Sequence, residues 1–303
     1  MSRHPQPPKR SGAPANRPAP PQRADKQSGG KGGSSTSANK GAPRAAGAAG
    51  GAAVAKGAAA KKPAAAPAAK AAPPRQPKAE PVALAAEGLS KFYGERPALA
   101  ELDLRVPYGQ SLALIGHNGS GKTTFLRMAA GLLEPTEGEV SIDGHPAGSL
   151  GARAATAYLS DSPTFYEDLS VWEHLEYVAR LHGHDDWEQD GADLLDHLGL
   201  YERADDLPTS FSRGLRQKAS IAIAFIRPFD VLLVDEPFVG LDAAGKLALL
   251  ELLDEAHKDG QTLLVATHEL TFLDRVSRCV ALRDGELLYD GSSEGVDVLS
   301  LVS

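Results

Sequence analysis

The sequence predicts an α/β fold in which a helical segment interrupts an alternation of strands and helices. Three observations lead to this prediction. An apolar run at residues 111–115 passes through a glycine-rich loop into a helical pattern. Residues 168–226 then have helical periodicity. Strand and helix patterns alternate again from residue 231 to residue 289, and the folded part contains no internal repeat.

The first 80 residues differ in composition from the rest of the chain. They hold 15 Lys and Arg against 2 acidic residues, which leaves 17 basic and 37 acidic residues for the remainder. Ala, Pro, Gly, Ser and Lys dominate this segment, so it cannot bury enough apolar surface to offset its ordering entropy. We therefore expect residues 1–80 to be a disordered basic tail and residues 81–303 to form one domain with its own core.

Several classes of protein are disfavoured by the composition. No apolar run approaches the length of a membrane span, and the N-terminus lacks the apolar core of a secretory signal. The single cysteine, Cys279, excludes an internal disulfide framework, and its apolar surroundings favour a core position. We expect a soluble cytoplasmic protein. If it acts at a membrane, another chain must supply the membrane spans.

Local patterns define the elements of the domain. Strands are predicted at residues 82–89, 99–106, 111–115, 139–142, 158–159, 231–234, 262–266, 278–282 and 286–289. The first two are expected to form a small antiparallel layer. Helices are predicted at residues 123–130, 171–182, 186–198, 213–227, 243–257 and 269–276. Ser170 and Glu173 form a capping box, and Asp242 is a candidate N-cap. The helical insert covers about residues 160–226.

A glycine-rich loop, residues 116–124, fits the phosphate-loop pattern G-x-x-x-x-G-K-[ST] at every fixed position. Its glycines let backbone N–H groups point at phosphate oxygens, and the helix that follows begins with a positive dipole end. Lys122 would neutralise charge on the β- and γ-phosphates, and the Thr123 hydroxyl would ligate Mg²⁺. A glycine turn without a ligand is the alternative. This loop by itself fits kinases, GTPases, motors and transport ATPases equally.

Two carboxylates follow the apolar strand at residues 231–234. A buried strand would place Asp235 at the carboxyl edge of the sheet, beside the phosphate loop, where it can hold Mg²⁺. Glu236 would then orient and deprotonate an attacking water. The alternative is a strand that ends in surface acids, and the phosphate loop upstream makes it the weaker interpretation.

A third motif, residues 211–217, begins a helix 23 residues before Asp235. Ser212 and Gly214 at a helix N-terminus offer a hydroxyl, a close backbone and a dipole end to a second phosphate. Two phosphate sites in one domain make sense if two copies face each other. In this order the three motifs resemble the ABC ATPase family, the nucleotide-binding subunits of ABC transporters, over roughly residues 82–291.

The resemblance implies a P-loop NTPase core that binds ATP and Mg²⁺ and hydrolyses ATP. It implies a head-to-tail pair of such domains, as a homodimer or a heterodimer, and a separately encoded integral membrane permease. The subunit would be peripheral on the inner face of the cell membrane. The residues implied to bind phosphates are Gly116, His117, Asn118, Gly119, Ser120, Gly121, Lys122, Thr123 and Thr124.

Other site residues are implied in the same way. Tyr93 resembles the aromatic residue that stacks on adenine, with Phe92 as the alternative, although an aromatic residue in a strand is often part of the core. Asp235 and Glu236 take the Mg²⁺ and general-base roles. Asp242, after Gly240 and Leu241, resembles the loop that crosses the dimer interface. His268, 33 residues after Asp235, resembles the switch histidine that reaches the γ-phosphate.

Two positions depart from the commonest family pattern. Asp161 follows the strand at residues 158–159, where the family usually has a glutamine that contacts Mg²⁺ and the attacking water. Aspartate is still a hard oxygen ligand, but it is shorter and adds negative charge. Arg213 replaces the first of two glycines in the third motif. An arginine here resembles the branch that serves exporters of drugs, antibiotics or polysaccharides.

The leading hypothesis is an ATP-hydrolysing transport subunit, with export as the expected direction. The alternative is an ABC ATPase that acts on ribosomes or DNA. A single phosphate loop, the absence of a heptad run and the acidic balance of residues 81–303 disfavour that alternative and a nucleic-acid partner. The basic tail could contact anionic lipid or nucleic acid, and a solubilising linker without a fixed partner is the favoured interpretation.

Overall fold

A computed structural model describes residues 81–295 of the chain, apart from the side chains of residues 270 and 271. The predicted basic tail and its possible partners lie outside the described residues. The strands in chain order are β1 (Val82–Tyr93), β2 (Arg96–Pro107), β3 (Ser111–Ile115), β4 (Glu137–Ile142), β5 (His145–Pro146), β6 (Thr156–Leu159), β7 (Val231–Asp235), β8 (Thr262–Ala266), β9 (Arg278–Arg283) and β10 (Glu286–Ser292).

The helices follow the predicted order with one addition. They are α1 (Lys122–Ala129), α2 (Leu150–Ala155), α3 (Val171–Leu181), α4 (Glu188–His197), α5 (Arg213–Phe225) and α6 (Ala243–Lys258). Short 3₁₀ helices occupy Tyr201–Arg203, Pro208–Ser210 and Leu270–Arg275, so the segment predicted as a helix at 269–276 is a 3₁₀ helix. Among residues 81–295, none of the helices has the length and apolar character needed to cross a membrane.

The strands form two sheets within the described part of the chain. The antiparallel sheet has the order β2-β1-β4-β5, with Leu84 of β1 opposite Val106 of β2 and Ile142 of β4. The larger sheet has the order β10-β9-β3-β8-β7-β6. Its strands are parallel except for the antiparallel hairpin partner β10. An α/β fold with a small antiparallel layer is therefore confirmed.

The larger sheet has an apolar cluster on each face. Every residue of β3, β7 and β8 is buried, because helices or the antiparallel sheet cover both faces. One cluster contains residues from β3, β7, α3, α5 and α6, and the other contains residues from the antiparallel sheet, α1 and α2. Cys279 is fully buried, as predicted, and burial raises the pKa of its thiol to about 11. The thiol is therefore a core group and not a reactive one.

The predicted capping box at the start of α3 is present. Ser170 Oγ accepts a hydrogen bond from the Glu173 N–H at 3.2 Å, and the Ser170 N–H donates to Glu173 Oε2 at 2.8 Å. The parallel pairing places the last residue of β7, Asp235, opposite Ala266 of β8. The carboxyl ends of β3, β7 and β8 therefore meet at one edge of the sheet, which is where α/β folds bind ligands.

Candidate functional site

The phosphate loop connects β3 to α1 at this edge of the sheet. Gly119 and Gly121 have positive φ angles of 87° and 105°, and Gly121 is the residue that precedes α1. At Gly116 a Cβ atom would lie 2.2 Å from the Leu282 carbonyl oxygen and 2.4 Å from Ser120 Oγ. Only glycine allows the backbone to approach this closely, so the loop conformation depends on its glycine pattern.

The hairpin between β9 and β10 braces the phosphate loop from outside. The Gly285 N–H donates to the Ser120 carbonyl at 3.1 Å, and the Gly285 carbonyl accepts from the Ala100 N–H at 2.7 Å. His117 Nε2 lies 3.4 Å from Asp284 Oδ1 in the same turn. The loop is thus held by a turn that is distant from it in the sequence, and this turn is itself tied to Ala100 of β2.

Lys122 lies inside the loop and is only 5% exposed. Its Nζ donates to the carbonyl oxygens of Gly116 at 2.7 Å and His117 at 3.2 Å. The same atom lies 3.5 Å from Glu236 Oε1. The ammonium group therefore faces the interior of the loop, where it can compensate the charge of a phosphate.

Asp235 ends β7 and is fully buried beside Thr123. The Thr123 hydroxyl donates to Asp235 Oδ1 at 3.1 Å. Burial raises the pKa of the Asp235 carboxyl; this hydrogen bond and Lys122 oppose the increase, whereas the charges of Asp161 and Glu236 add to it. The site therefore holds a carboxylate in surroundings that favour an added cation.

Glu236 has a strained backbone, with φ at 45°. Its N–H donates to the Ala266 carbonyl at 2.9 Å, which ties the residue to the end of β8. Glu236 Oε2 lies 2.7 Å from His268 Nδ1. A continuous chain of polar side chains thus runs from His268 through Glu236 to Lys122, and the sequence spacing alone did not show these contacts.

Three buried oxygen atoms at this edge have no hydrogen-bond partner in the described structure. They are Ser120 Oγ, Asp235 Oδ2 and Glu236 Oε1, and the last of these has the 3.5 Å ion pair with Lys122 but no hydrogen bond. Buried polar atoms are ordinarily satisfied, so three unsatisfied oxygens around one loop indicate a place for a ligand. Carboxylate and hydroxyl oxygens are the ligands that Mg²⁺ prefers, and the Lys122 ammonium suits phosphate. The residues present therefore fit a triphosphate with Mg²⁺.

Asp161 lies after β6 and is partly exposed. Its Oδ1 lies 3.8 Å from Arg127 Nη2 and 3.3 Å from Ser160 Oγ. Its charge helps to raise the pKa of Asp235, so the two carboxyl groups share one neighbourhood. The structure thus brings Asp161 to the same edge as the phosphate loop. Arg127, which the sequence did not indicate, is its counter-charge.

The predicted adenine-stacking residue stands at the end of β1. Tyr93 is 61% exposed, whereas Phe92 is 38% exposed. Lys91 Nζ lies 5.5 Å from the centre of the Tyr93 ring. The Tyr93 ring is therefore accessible for stacking, and it is not part of the core.

Ser212 and Gly214 lie apart from the phosphate loop. Ser212 Oγ caps α5 by accepting from the Leu215 N–H at 3.4 Å, and no hydrogen bond or ion pair among residues 81–295 joins it to the loop. A Cβ atom on Gly214 would lie 2.5 Å from the Gly240 carbonyl oxygen. The start of α5 thus packs on the segment that follows Glu236.

Asp242 caps α6 as predicted. Its Oδ1 accepts from the Gly245 N–H at 2.8 Å and lies 3.2 Å from Lys218 Nζ on α5. The Gly245 backbone hydrogen bond, with help from Lys218, lowers the pKa of the Asp242 carboxyl. Asp242 therefore connects α6 to α5 while most of its side chain stays exposed.

Sequence reasoning missed Gln217. This side chain on α5 is 3% exposed, and its Nε2 donates to the Pro237 carbonyl at 3.3 Å. Pro237 directly follows Glu236, so a buried amide connects α5 to the carboxylate segment. A polar residue on the inner face of a predicted helix is the one signal that could have indicated it.

Comparisons with known proteins show the family to which the chain is related. The family described as ABC transporter matches residues 99–239. The chain is 32% identical over 210 residues to the SkfA peptide export ATP-binding protein SkfE of Bacillus subtilis (strain 168), and the match covers 68% of the chain and 88% of that protein.

Relatives with another transport direction match equally well. The chain is 33% identical over 219 residues to the aliphatic sulfonates import ATP-binding protein SsuB 3 of Pseudomonas savastanoi pv. phaseolicola (strain 1448A / Race 6), and the match covers 72% of the chain and 77% of that protein. A solved dimeric ATP-binding cassette in a post-hydrolysis state, bound to ADP and Pi, is similar at a TM-score of 0.64 and 26% identity, covering 70% of the chain and 100% of the solved one.

Proposed function

Because the chain belongs to the ABC transporter family as an ATP-binding, ATP-hydrolysing subunit, we propose that the edge formed by the phosphate loop, Asp235, Glu236 and His268 is its hydrolytic site. The observation that carries this proposal is the set of three buried oxygens, one in the phosphate loop and two on Asp235 and Glu236, that lack a hydrogen-bond partner in the described structure. They are the atoms that a triphosphate, a cation and an attacking water would satisfy.

In the proposed mechanism each residue has one role. Lys122 and the loop N–H groups hold the β- and γ-phosphates, and Thr123 and Asp235, with Asp161 beside them, would hold Mg²⁺, which supplies charge neutralisation when bound. Glu236 Oε1 takes a proton from water as the water oxygen bonds to the γ-phosphorus. The bond from that phosphorus to the bridging oxygen breaks, which leaves ADP and phosphate. His268 fixes the carboxylate through its 2.7 Å contact with Oε2.

The test of the mechanism replaces Glu236 by Gln. Loss of a general base costs about 10²–10⁴ in rate, so ATP turnover should fall by that factor while ATP binding persists. Glu202→Gln is the matched control, because Glu202 is an exposed glutamate in the helical insert. Turnover that is equal in Glu236→Gln and in the control would remove Glu236 from this role.

We further propose that two copies pair head to tail, so that Ser212 and Gly214 of one copy complete the phosphate site of the other. The support is that Ser212 is exposed at the start of α5 and that, among residues 81–295, its hydrogen bonds are with its own helix. The dimeric solved cassette also supports this pairing. Glu236→Gln loaded with ATP should elute as a dimer in size-exclusion chromatography. A monomer at saturating ATP would contradict the pairing.

A separate membrane-spanning subunit is the proposed partner, with the chain peripheral on the cytoplasmic face. The helical insert offers it an exposed groove of about 520 Å³, in which Tyr177 is 47% and Leu181 64% exposed. Its lining residues are Leu169, Glu173, Glu176, Tyr177, Arg180 and Leu181. Affinity purification from detergent-solubilised cells should recover a small integral membrane protein, and Tyr177→Glu should release it. Recovery of ribosomes or DNA instead would contradict a transport role.

We propose export as the direction of transport. Arg213 in the third motif and the peptide-export relative support it, whereas the sulfonate-import relative has similar identity. Inside-out membrane vesicles with the chain and its partner provide the test. ATP-dependent accumulation of labelled solutes inside these vesicles supports export, and ATP-dependent loss of preloaded solute supports import.

A further inference from the structure

The segment that carries His268, residues 267–275, is tied to α6 by two ion pairs. Lys246 Nζ contacts Glu269 Oε1, and Arg275 Nη1 contacts Asp254 Oδ2. The four side chains are similarly exposed, at 39% and 30% for the first pair and 36% and 37% for the second. The two ion pairs differ mainly in their distance along the chain from His268. Glu269 adjoins His268, whereas Arg275 lies at the other end of the segment.

Glu269 is held at its backbone as well as at its side chain. Its N–H donates to Thr267 Oγ1 at 2.9 Å, and its carbonyl accepts from the Phe272 N–H at 3.2 Å. Thr267 is fully buried and donates its N–H to the Leu114 carbonyl at 3.1 Å. The residues on both sides of His268 are therefore fixed, one to the central sheet and the other to α6.

In the described part of the chain, the His268 side chain makes few contacts that would fix its orientation. Its side chain is 62% exposed, and its polar contact within the described structure is with Glu236 Oε2. The direction of the imidazole therefore depends on the backbone on each side of it. Lys246 is the group on α6 that contacts the Glu269 side chain.

Lys246 belongs to the first turn of α6. Its N–H donates to the Asp242 carbonyl at 2.9 Å, and Asp242 caps this helix. The preceding Gly240 packs against Arg213, since a Cβ atom there would lie 3.3 Å from Arg213 Cγ. A short path of contacts thus runs from the start of α5, through the first turn of α6, to His268.

We propose that Lys246 and Glu269 form a positioning pair that keeps His268 on Glu236. The orientation of the general base then depends on the first turn of α6. It therefore also depends on residues 240–242, which resemble the loop that crosses the dimer interface. This inference rests on the proposed function. Partly exposed ion pairs contribute little to global stability, so both ion pairs should matter equally little to folding and unequally to catalysis.

The kinetic test compares Lys246→Gln with Asp254→Asn in the full-length chain. Poor orientation of catalytic groups can cost about 10²-fold, so we expect Lys246→Gln to lower kcat about 10- to 100-fold with KM within about twofold. Asp254→Asn, which breaks the matched ion pair, should keep wild-type kcat. The exchanged pair, Lys246→Glu with Glu269→Lys, should recover most of the lost turnover. If Lys246→Gln does not fold, Glu269→Gln breaks the same contact.

A second readout needs no turnover. In the nucleotide-free chain with ¹⁵N-labelled histidine, the ring signals of His268 are assigned by their loss in His268→Gln. Lys246→Gln should move them toward the positions of a solvent-exposed imidazole, and Asp254→Asn should not. Equal behaviour of the two variants in both readouts would overturn the proposal. If Lys246→Gln shows the expected ring shifts but the wild-type chain hydrolyses no ATP, the proposed function is contradicted and the positioning pair stands.

Discussion

Replacing Asp235 by Asn should stabilise the nucleotide-free chain while it weakens ligand binding. Asp235 is fully buried, one of its oxygens has no partner, and burial raises the pKa of its carboxyl. The neutral amide keeps a side-chain oxygen that can accept from the Thr123 hydroxyl, which lies 3.1 Å from Asp235 Oδ1. The substitution thus removes a buried charge without removing the contact that orients the side chain.

The expected increase in the free energy of unfolding follows from the unsatisfied oxygen of Asp235. An unsatisfied buried polar atom costs about 1–3 kcal/mol and a charged one costs more, so exchanging a charged atom for a neutral one should gain about 1–2 kcal/mol. In a domain of this size each kcal/mol moves Tm by about 2–4 °C. The size of this gain in stability depends on pH. Because the folded-state pKa is raised, wild-type stability falls as the pH rises through that pKa, and the gain should disappear below about pH 4, the ordinary pKa of Asp.

Thermal unfolding provides the assay. Without nucleotide at pH 7, Asp235→Asn should melt above the wild type, and Asp205→Asn, at an exposed position, should not. With Mg²⁺ and ATP at about 100 times Kd, the free energy of unfolding of the wild type should rise by about 2.7 kcal/mol. That of Asp235→Asn should rise much less. A nucleotide-free Asp235→Asn chain that melts below the wild type at pH 7 would refute the reasoning.

Three other perturbations have definite outcomes. Gly116→Ala puts a Cβ atom 2.2 Å from the Leu282 carbonyl oxygen, so titration with a fluorescent ATP analogue should detect no binding; wild-type affinity would contradict this. Gln217→Leu leaves the Pro237 carbonyl without its donor and should cost about 1–3 kcal/mol in urea unfolding, a result that an unchanged midpoint would exclude. Asp242→Asn should lower Tm at pH 7 but not below the folded-state pKa, because the lowered pKa of Asp242 means that its contribution is lost on acidification; a Tm difference independent of pH would count against it.

Much of the fold could be predicted because local patterns and tertiary environment agree. The strand predicted at 111–115 is β3, and the one at 262–266 is β8, since both are continuous apolar runs bounded by polar or glycine residues. The short elements β5 and α2, at residues 145–155, were missed. β5 is only two residues long, and α2 has a single turn or so with no apolar face long enough to show periodicity.

The candidate site could be predicted only as a set of residues and not as a set of contacts. The motif spacing predicted that Lys122, Asp235 and Glu236 would meet, because parallel strands end at one edge. The contact between Lys122 and Glu236 depends on side-chain conformations that spacing does not determine. The same holds for Arg127 beside Asp161, since the two residues come from different elements and neither is in a recognisable pair. Their meeting is a result of tertiary packing.

The turn at Asp284-Gly285, which braces the phosphate loop through the Gly285 N–H, has a consequence for synthesis of the chain. The loop leaves the ribosome long before this turn does, because the turn lies near the end of the domain. A growing chain therefore carries the loop sequence without its outer support, and the contacts around the loop are completed only when almost the whole domain is available to fold. An unfinished or prematurely ended chain would consequently lack the hydrogen bond from the Gly285 N–H to the loop.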